Sequence, residues 1–193
     1  MARQPLSLKA RAIGLLAQRE HSRLELRRKL LTIERRTRAA AQASGAGAQR
    51  AGEGAAPLHG HDRSDAPFGG EAHDEATEAI EATVDALLDT LAAGGYLNET
   101  RFVESRVHQR SARFGLQRIQ QELSQHGLKL DAGQQDALRA SELDRARAVW
   151  LKRFGPEPAR EPAEQARQAR FLMARGFSPE LVRRLLRAAP GSD

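Results

Sequence analysis

Residues 94–127 read GGYLNETRFVESRVHQRSARFGLQRIQQELSQHG, a pattern that predicts a helix end, a tight junction, a helix, a short turn and a second helix. Gly94 and Gly95 follow an apolar-periodic run and supply the left-handed residue that ends a helix. Asn98 can cap the next helix, because its side-chain oxygen accepts the free backbone N–H groups two or three residues later. Gly127 ends the second helix, so the stretch contains a complete helix pair.

Both helices of this pair have an apolar stripe. Phe102, Val103 and Val107 form the stripe of the first helix, while Ile119 and Leu123 lie four residues apart on one face of the second. The first helix is also strongly basic and carries Arg101, Arg106, Arg110 and Arg113. The pattern therefore predicts one surface to bury and another to present to solvent or to a partner.

The same helix–turn–helix pattern occurs three times in the chain. Each copy has a helix start followed by apolar residues four and eight positions later: Ser22, Leu26 and Leu30; Gly115, Ile119 and Leu123; and Ser178, Val182 and Leu186. Tandem helical units produce such recurrence. We therefore predict an all-α fold of about nine helices, arranged as three repeats of three, with no deep substrate pocket.

The composition agrees with a helical protein and excludes several functional classes. The 193 residues are 40% hydrophobic and only 4% aromatic, which favours helices over a sheet. The absence of cysteine excludes a disulfide scaffold, a cysteine zinc finger and thiolate chemistry. The apolar runs are too short for a signal peptide or a membrane span, so we expect a cytoplasmic protein that does not contact a membrane.

The net charge of +6 is unevenly distributed along the chain. Residues 1–38 carry a net charge of +8, residues 39–100 carry −9 and residues 101–193 carry +7. Two basic regions thus flank an acidic one. This layout indicates a polyanionic or acidic partner.

The apolar periodicity is lost between about Arg38 and His73. This segment is rich in Ala and Gly, and it has too few large apolar residues to offset the entropy of ordering it, so we predict a disordered insertion. Its Ala-rich start favours a second helix that is longer by a turn or two. The predicted division is 1–37 for the first two helices of the first repeat, 38–73 for the insertion, 74–94 for the third helix, 95–140 for the second repeat and 141–193 for the third.

Three stretches resemble the RecX regulatory proteins, in the family's order: LLAQREHSRLELRRKL (15–30), GYLNETRFVESRVHQRSARFGLQRIQQELSQHGL (95–128) and RFLMARGFSPELVRRLL (170–186). The resemblance implies an elongated, curved array of three-helix repeats that binds the RecA–single-stranded-DNA filament. It further implies inhibition of RecA recombinase, ATPase and coprotease activity, either by lying in the filament groove or by blocking filament extension. It implies no catalytic residue, and we expect no metal, no cofactor and a monomer that meets DNA through the filament. The long insertion after Leu31 departs from the family pattern.

The candidate partner-binding residues are the basic faces of the three helix pairs. Arg106, Arg110 and Arg113 lie at i, i+4 and i+7 and so share a helix face, where guanidinium groups can bind phosphates or carboxylates. A solvated face with scattered ion pairs is an equal alternative. The full set is Arg23, Arg27, Arg28, Lys29, Arg106, Arg110, Arg113, Arg118, Arg183, Arg184 and Arg187.

Other interpretations of the sequence have less support. His59, His61, Asp62, His73 and Asp74 could ligate zinc or nickel, but incidental linker composition is favoured because nothing preorganises them. Most of the aromatic residues fit an apolar stripe or a helix junction, so we interpret them as core anchors rather than base-stacking platforms: Tyr96, Phe102, Phe114, Trp150, Phe154, Phe171 and Phe177. A helix–turn–helix regulator acting on duplex DNA is the alternative function. A nuclease ranks third, because the sequence shows no nucleophile–base pair or paired-carboxylate site.

Overall fold

The computed structural model describes residues 6–50, 70–156, 159 and 161–188. Its regular elements in these ranges are nine α-helices: α1 (Leu8–Gln18), α2 (Arg23–Arg50), α3 (Gly70–Ala93), α4 (Glu99–Ser111), α5 (Leu116–Ser124), α6 (Ala132–Ala140), α7 (Glu142–Phe154), α8 (Pro162–Ala174) and α9 (Pro179–Ala188). The predicted all-α class and the number of helices are confirmed for this part of the chain. The helices fall into two compact units, residues 1–98 and 99–193.

The first unit is built from α1, α2 and α3. Ser7 caps α1 by accepting a hydrogen bond from the Ala10 N–H at 3.2 Å, and Ser22 caps α2 in the same way for Glu25 at 3.1 Å. The buried core of the unit contains Ala12, Leu26, Leu30, Leu31, Ile80, Val84, Leu88, Leu91 and Leu97. Leu26 and Leu30, the apolar residues predicted for the first copy of the repeated pattern, therefore lie in the core of this unit.

Helical backbone covers both ends of the segment 38–73, which we predicted as an insertion. α2 continues to Arg50 and α3 begins at Gly70. Alanine at positions 39–41 favours the continuation of α2, because it has the highest helix propensity of all residues. Residues 51–69 lie outside the described part of the chain.

The second unit has two hydrophobic cores, each made by three consecutive helices. The core of α4, α5 and α6 contains Phe102, Val103, Leu116, Ile119, Leu123, Leu130 and Leu138. The core of α7, α8 and α9 contains Ala146, Trp150, Leu172, Phe177, Val182 and Leu185. The predicted aromatic anchors lie in or against these cores, with one exception. Tyr96 is 56% exposed at the turn after α3, so the prediction was wrong for that residue.

Two glycine-containing turns meet where these cores adjoin, at a site that we call the glycine junction. The Gly115 N–H donates to the Arg175 carbonyl at 2.9 Å, and the Gln117 N–H donates to the Gly176 carbonyl at 3.2 Å. A Cβ atom on Gly115 would lie 2.2 Å from the Gly176 oxygen, and Gly176 itself has a φ of 82°. Only glycine allows the two backbones to approach this closely.

A buried carboxylate and a half-buried guanidinium complete this junction. Glu142 is 7% exposed, and its Oε1 accepts a hydrogen bond from the Leu116 N–H at 2.8 Å, at the first residue of α5. The Arg145 guanidinium donates to the carbonyl oxygens of Ser111, Phe114 and Leu138, at 2.9, 2.7 and 2.8 Å. Burial lowers the pKa of Arg145, and the nearby Glu142 carboxylate acts in the opposite direction. Backbone N–H and carbonyl groups at helix ends, which have no partner within their own helix, thereby form hydrogen bonds.

Candidate partner-binding surfaces

The predicted basic face of α2 is partly neutralised by α3. Arg23 lies 2.8 Å from Asp89, and Arg27 donates to Asp85 at 2.7 Å and to Glu81 at 2.8 Å. These hydrogen bonds, first to Asp85 and then to Glu81, raise the pKa of Arg27, while Arg27 lowers the pKa of Asp85. The two arginines therefore join the helices of the first unit as well as facing solvent.

Lys29 belongs to a cluster around a buried histidine. His21 is 1% exposed; its Nδ1 lies 2.9 Å from the Arg19 carbonyl oxygen and its Nε2 lies 3.0 Å from the Lys29 Nζ. A neutral ring protonated on Nδ1 satisfies both contacts. Burial lowers the pKa of His21 and so favours this neutral form. Lys29 also lies 3.4 Å from Glu25, whereas Arg28 on the same helix is exposed.

The cations of α4 and α5 surround one carboxylate. Arg110 lies 2.9 Å from one oxygen of Glu122, and Arg118 lies 3.6 Å from the other. The Arg106 guanidinium lies over the Phe102 ring, 5.1 Å from its centroid. Arg113 is exposed in the turn after α4, which ends at Ser111, so the prediction that it shares one helix face with Arg106 and Arg110 was wrong.

The third predicted group lies on the outer face of α9. Arg183, Arg184 and Arg187 are all exposed, while Val182 and Leu185 on the opposite face are buried. Arg183 donates from Nε to the Pro179 carbonyl at 3.3 Å, within its own helix. Arg184 and Arg187 extend from this face into solvent.

A concave basic surface lies between α4, α7 and α8, and only one of its cations was predicted. We call it the basic cleft; it has a volume of about 600 Å³ and is lined by Ala112, Arg113, Val149, Lys152, Arg153, Phe171 and Arg175. Among these described residues are four cations and no carboxylate. Two of these cations, Lys152 and Arg153, have a sequence signal, because they form a basic pair in the last turn of α7 next to Phe154.

The structure adds two observations on metals and membranes. Among the described residues, no group of three or more His, Asp or Glu side chains is arranged to hold a metal ion. The histidines and aspartates considered for zinc or nickel, at positions 59, 61, 62, 73 and 74, lie outside the residues whose side chains the structure describes. No helix in the described ranges is long and apolar enough to cross a membrane.

Nine helices in three consecutive triplets within the described ranges, with basic outer surfaces, define a protein of tandem three-helix units. Models of the second and third three-helix domains of RecX match residues 98–132 and 140–186. The chain is 43% identical over 191 residues to Regulatory protein RecX of Ralstonia nicotianae, covering 98% of this chain and 92% of that protein. It is 42% identical over 189 residues to the Leptothrix cholodnii protein of the same name (97% and 92% covered) and 34% identical over 187 residues to that of Pseudomonas entomophila (94% and 91%). The chain belongs to the RecX regulatory protein family.

Proposed function

We propose that this protein binds the RecA–single-stranded-DNA filament and inhibits RecA recombinase, ATPase and coprotease activity. The observation that carries the proposal is similarity over nearly the whole chain to proteins named Regulatory protein RecX. The protein acts as a non-enzymatic regulator and a monomer, and it meets single-stranded DNA through the filament. It obstructs RecA either by lying in the filament groove across neighbouring RecA subunits or by blocking filament extension.

The helix triplets are the proposed repeat units. α1–α3, α4–α6 and α7–α9 each have their own hydrophobic core. This grouping supports a first repeat interrupted by the insertion 38–73, a second repeat at 95–140 and a third at 141–193. Stability of such units comes from each core and from the contacts between neighbours, such as the glycine junction.

The exposed cations are the proposed contacts with the filament. Arg28, Arg113, Arg184 and Arg187 are exposed and available to phosphates or to acidic side chains. Arg118 is also exposed, but it lies 3.6 Å from the Glu122 carboxylate. The remaining candidates contribute less to the outward electrostatic potential, because nearby carboxylates neutralise several of them. These are Arg23, Arg27, Lys29, Arg106, Arg110 and Arg183.

A recognition-helix function on duplex DNA has less support at α5. Such a helix places its N-terminal residues against base edges in the major groove. Gly115 and Leu116 at the start of α5 are instead buried, and their N–H groups bind Arg175 and Glu142. The N-terminal end of α5 is therefore occupied within the protein.

The DNA-dependent ATPase activity of RecA tests the proposal. Adding the protein at substoichiometric ratios to RecA on single-stranded DNA should lower the rate, because one bound molecule affects several filament subunits. The variant R184A/R187A should inhibit less than the wild type, whereas the matched variant R139A/R147A, with two other exposed arginines removed, should inhibit normally. An unchanged ATPase rate at every ratio of wild-type protein contradicts the proposal.

A further inference from the structure

The basic cleft differs from the other basic surfaces in how its charges are balanced. Arg27 and Arg110 each lie within 3 Å of a carboxylate oxygen. The cleft lining, in contrast, brings together Arg113, Lys152, Arg153 and Arg175 without a carboxylate among its described residues. Four cations around about 600 Å³ of open space repel one another, and a bound anion relieves that repulsion. The positive charge of the cleft therefore favours the binding of a negatively charged ligand.

The cleft also has a flat aromatic floor. The Arg175 guanidinium lies over the Phe171 ring, with its carbon 3.8 Å from the ring centroid. Phe171 is in turn held by an edge contact with Phe154, at a centroid distance of 5.1 Å. Stacking on a ring fixes the guanidinium plane while leaving its N–H groups able to donate at the edge. The floor therefore offers a planar stacking surface next to directed hydrogen-bond donors.

The backbone beneath this floor is fixed as well. The Arg175 carbonyl accepts the hydrogen bond from the Gly115 N–H at the glycine junction. The Arg175 backbone therefore cannot move without separating the two turns that meet there. A ligand in the cleft binds to a surface that is already ordered, which lowers the entropy cost of binding.

A nucleotide matches these features better than a carboxylate-bearing protein surface does. Its phosphate groups suit the guanidinium forks and the Lys152 ammonium, and its base suits the Arg175–Phe171 stack, since bases stack on arginine planes and aromatic rings. A carboxylate side chain would use the cations but not the stacking surface. We propose that the basic cleft binds the phosphate groups of a nucleotide, with the base stacked on Arg175 and Phe171.

Two sources can offer this chemistry, a single-stranded nucleic acid and a free nucleoside triphosphate. The test uses the purified full-length protein without RecA, so its outcome is separate from that of the proposed RecA inhibition. Two probes distinguish the sources: a short fluorescein-labelled oligothymidylate, followed by anisotropy, and MgATP, followed by calorimetry. The test variants are K152A/R153A and K152A, and the control R147A, which removes one exposed arginine elsewhere on α7, is matched in charge to K152A.

The wild type should bind at least one probe, and K152A/R153A should weaken that binding by about tenfold or more. R147A should bind as the wild type does. If the strand is the ligand, the log–log salt dependence of oligothymidylate binding should also become shallower by about 0.7 for each phosphate that the variant no longer neutralises. If MgATP binding alone is weakened, the ligand is a free nucleotide. Equal melting temperatures of the wild type and the variants establish that folding is unchanged, and the single variant K152A serves as a second test because Lys152 is exposed.

Three results would overturn the inference. The first is that the wild type binds neither probe. The second is that R147A weakens binding as much as K152A/R153A does, because the effect would then be one of net charge alone. The third is that K152A/R153A binds both probes as tightly as the wild type does, because Lys152 and Arg153 would then not hold the phosphate groups.

Discussion

Replacing Gly115 with alanine should destabilise the second unit, because no methyl group fits between the two turns that meet there. The added Cβ would lie 2.2 Å from the Gly176 oxygen and 2.4 Å from the Phe177 nitrogen. Real Cβ atoms essentially never approach other atoms more closely than about 3 Å, and the neighbouring atoms here belong to the backbone and cannot rotate away. The two turns must therefore separate.

The size of the effect follows from what this separation breaks. Two backbone hydrogen bonds cross the junction, at 2.9 and 3.2 Å. Each contributes about 1 kcal/mol, and displacing the packed turns adds a strain of similar size, so we expect G115A to lower the free energy of unfolding by about 2–4 kcal/mol. Gly115 has a φ of −76°, so backbone strain on alanine does not contribute.

Urea unfolding followed by tryptophan fluorescence measures this effect. Trp150 is the single tryptophan, and it lies 3% exposed in the core of α7–α9, so it reports on the second unit. The control is G133A in α6, where the nearest atom to the new Cβ is a side-chain oxygen at 3.4 Å. Alanine there should leave stability unchanged or raise it by about 0.5 kcal/mol. The reasoning fails if G115A is as stable as the wild type or if both variants lose the same stability.

Three further predictions concern buried or paired charges. Glu142→Leu should lower the free energy of unfolding by about 1–3 kcal/mol in the same urea assay, because the Leu116 N–H loses its acceptor. Glu142→Gln retains an acceptor oxygen and should lower it by less. Equal losses of stability in the two variants would contradict this role of the Glu142 carboxylate. Asp85→Asn should lower the free energy of unfolding of the first unit by about 1 kcal/mol at neutral pH, measured by circular dichroism, because the Arg27–Asp85 ion pair is lost. The difference in stability from wild type should shrink as the pH falls through the lowered pKa of Asp85. A difference that stays constant with pH would refute this prediction. Burial holds the pKa of His21 below 6.5, so as the pH falls the unfolded chain protonates its His21 ring before the folded protein does. The urea midpoint of the first unit should therefore decline as the pH falls below about 6.5. His21→Gln should reduce this decline.

Local sequence patterns were sufficient to predict the helices. Apolar spacing located Ile119 and Leu123 on one buried face, and the start of α2 was predictable from Ser22, whose hydroxyl caps the helix. Such signals depend only on residues within one or two turns. The all-α class and the helix number follow from them directly.

Contacts between helices were not predictable in the same way. Arg27 and Asp85 are 58 positions apart, so nothing in the local pattern indicates that α3 neutralises part of the α2 face. Glu142 has the sequence position of an ordinary first-turn acid, yet its carboxylate is buried and binds the start of α5.

The basic cleft could not be predicted for a related reason. Arg113 follows α4, Lys152 and Arg153 lie in the last turn of α7, and Arg175 follows α8. The ends of α4 and α8 approach each other because the turns that follow them meet at the glycine junction, and α7 packs against α8. Sequence shows that each residue is charged, but packing decides which charges share one surface.

The most direct test of the proposed RecA regulation is a cryo-electron microscopy map of the full-length protein on a nucleotide-bound RecA–single-stranded-DNA filament. We predict helical density of this protein on the filament, in the groove or at the growing end, with the exposed arginines of α9 directed towards RecA or DNA. Bare filaments at saturating protein concentration, or density with these arginines directed into solvent, would contradict the account.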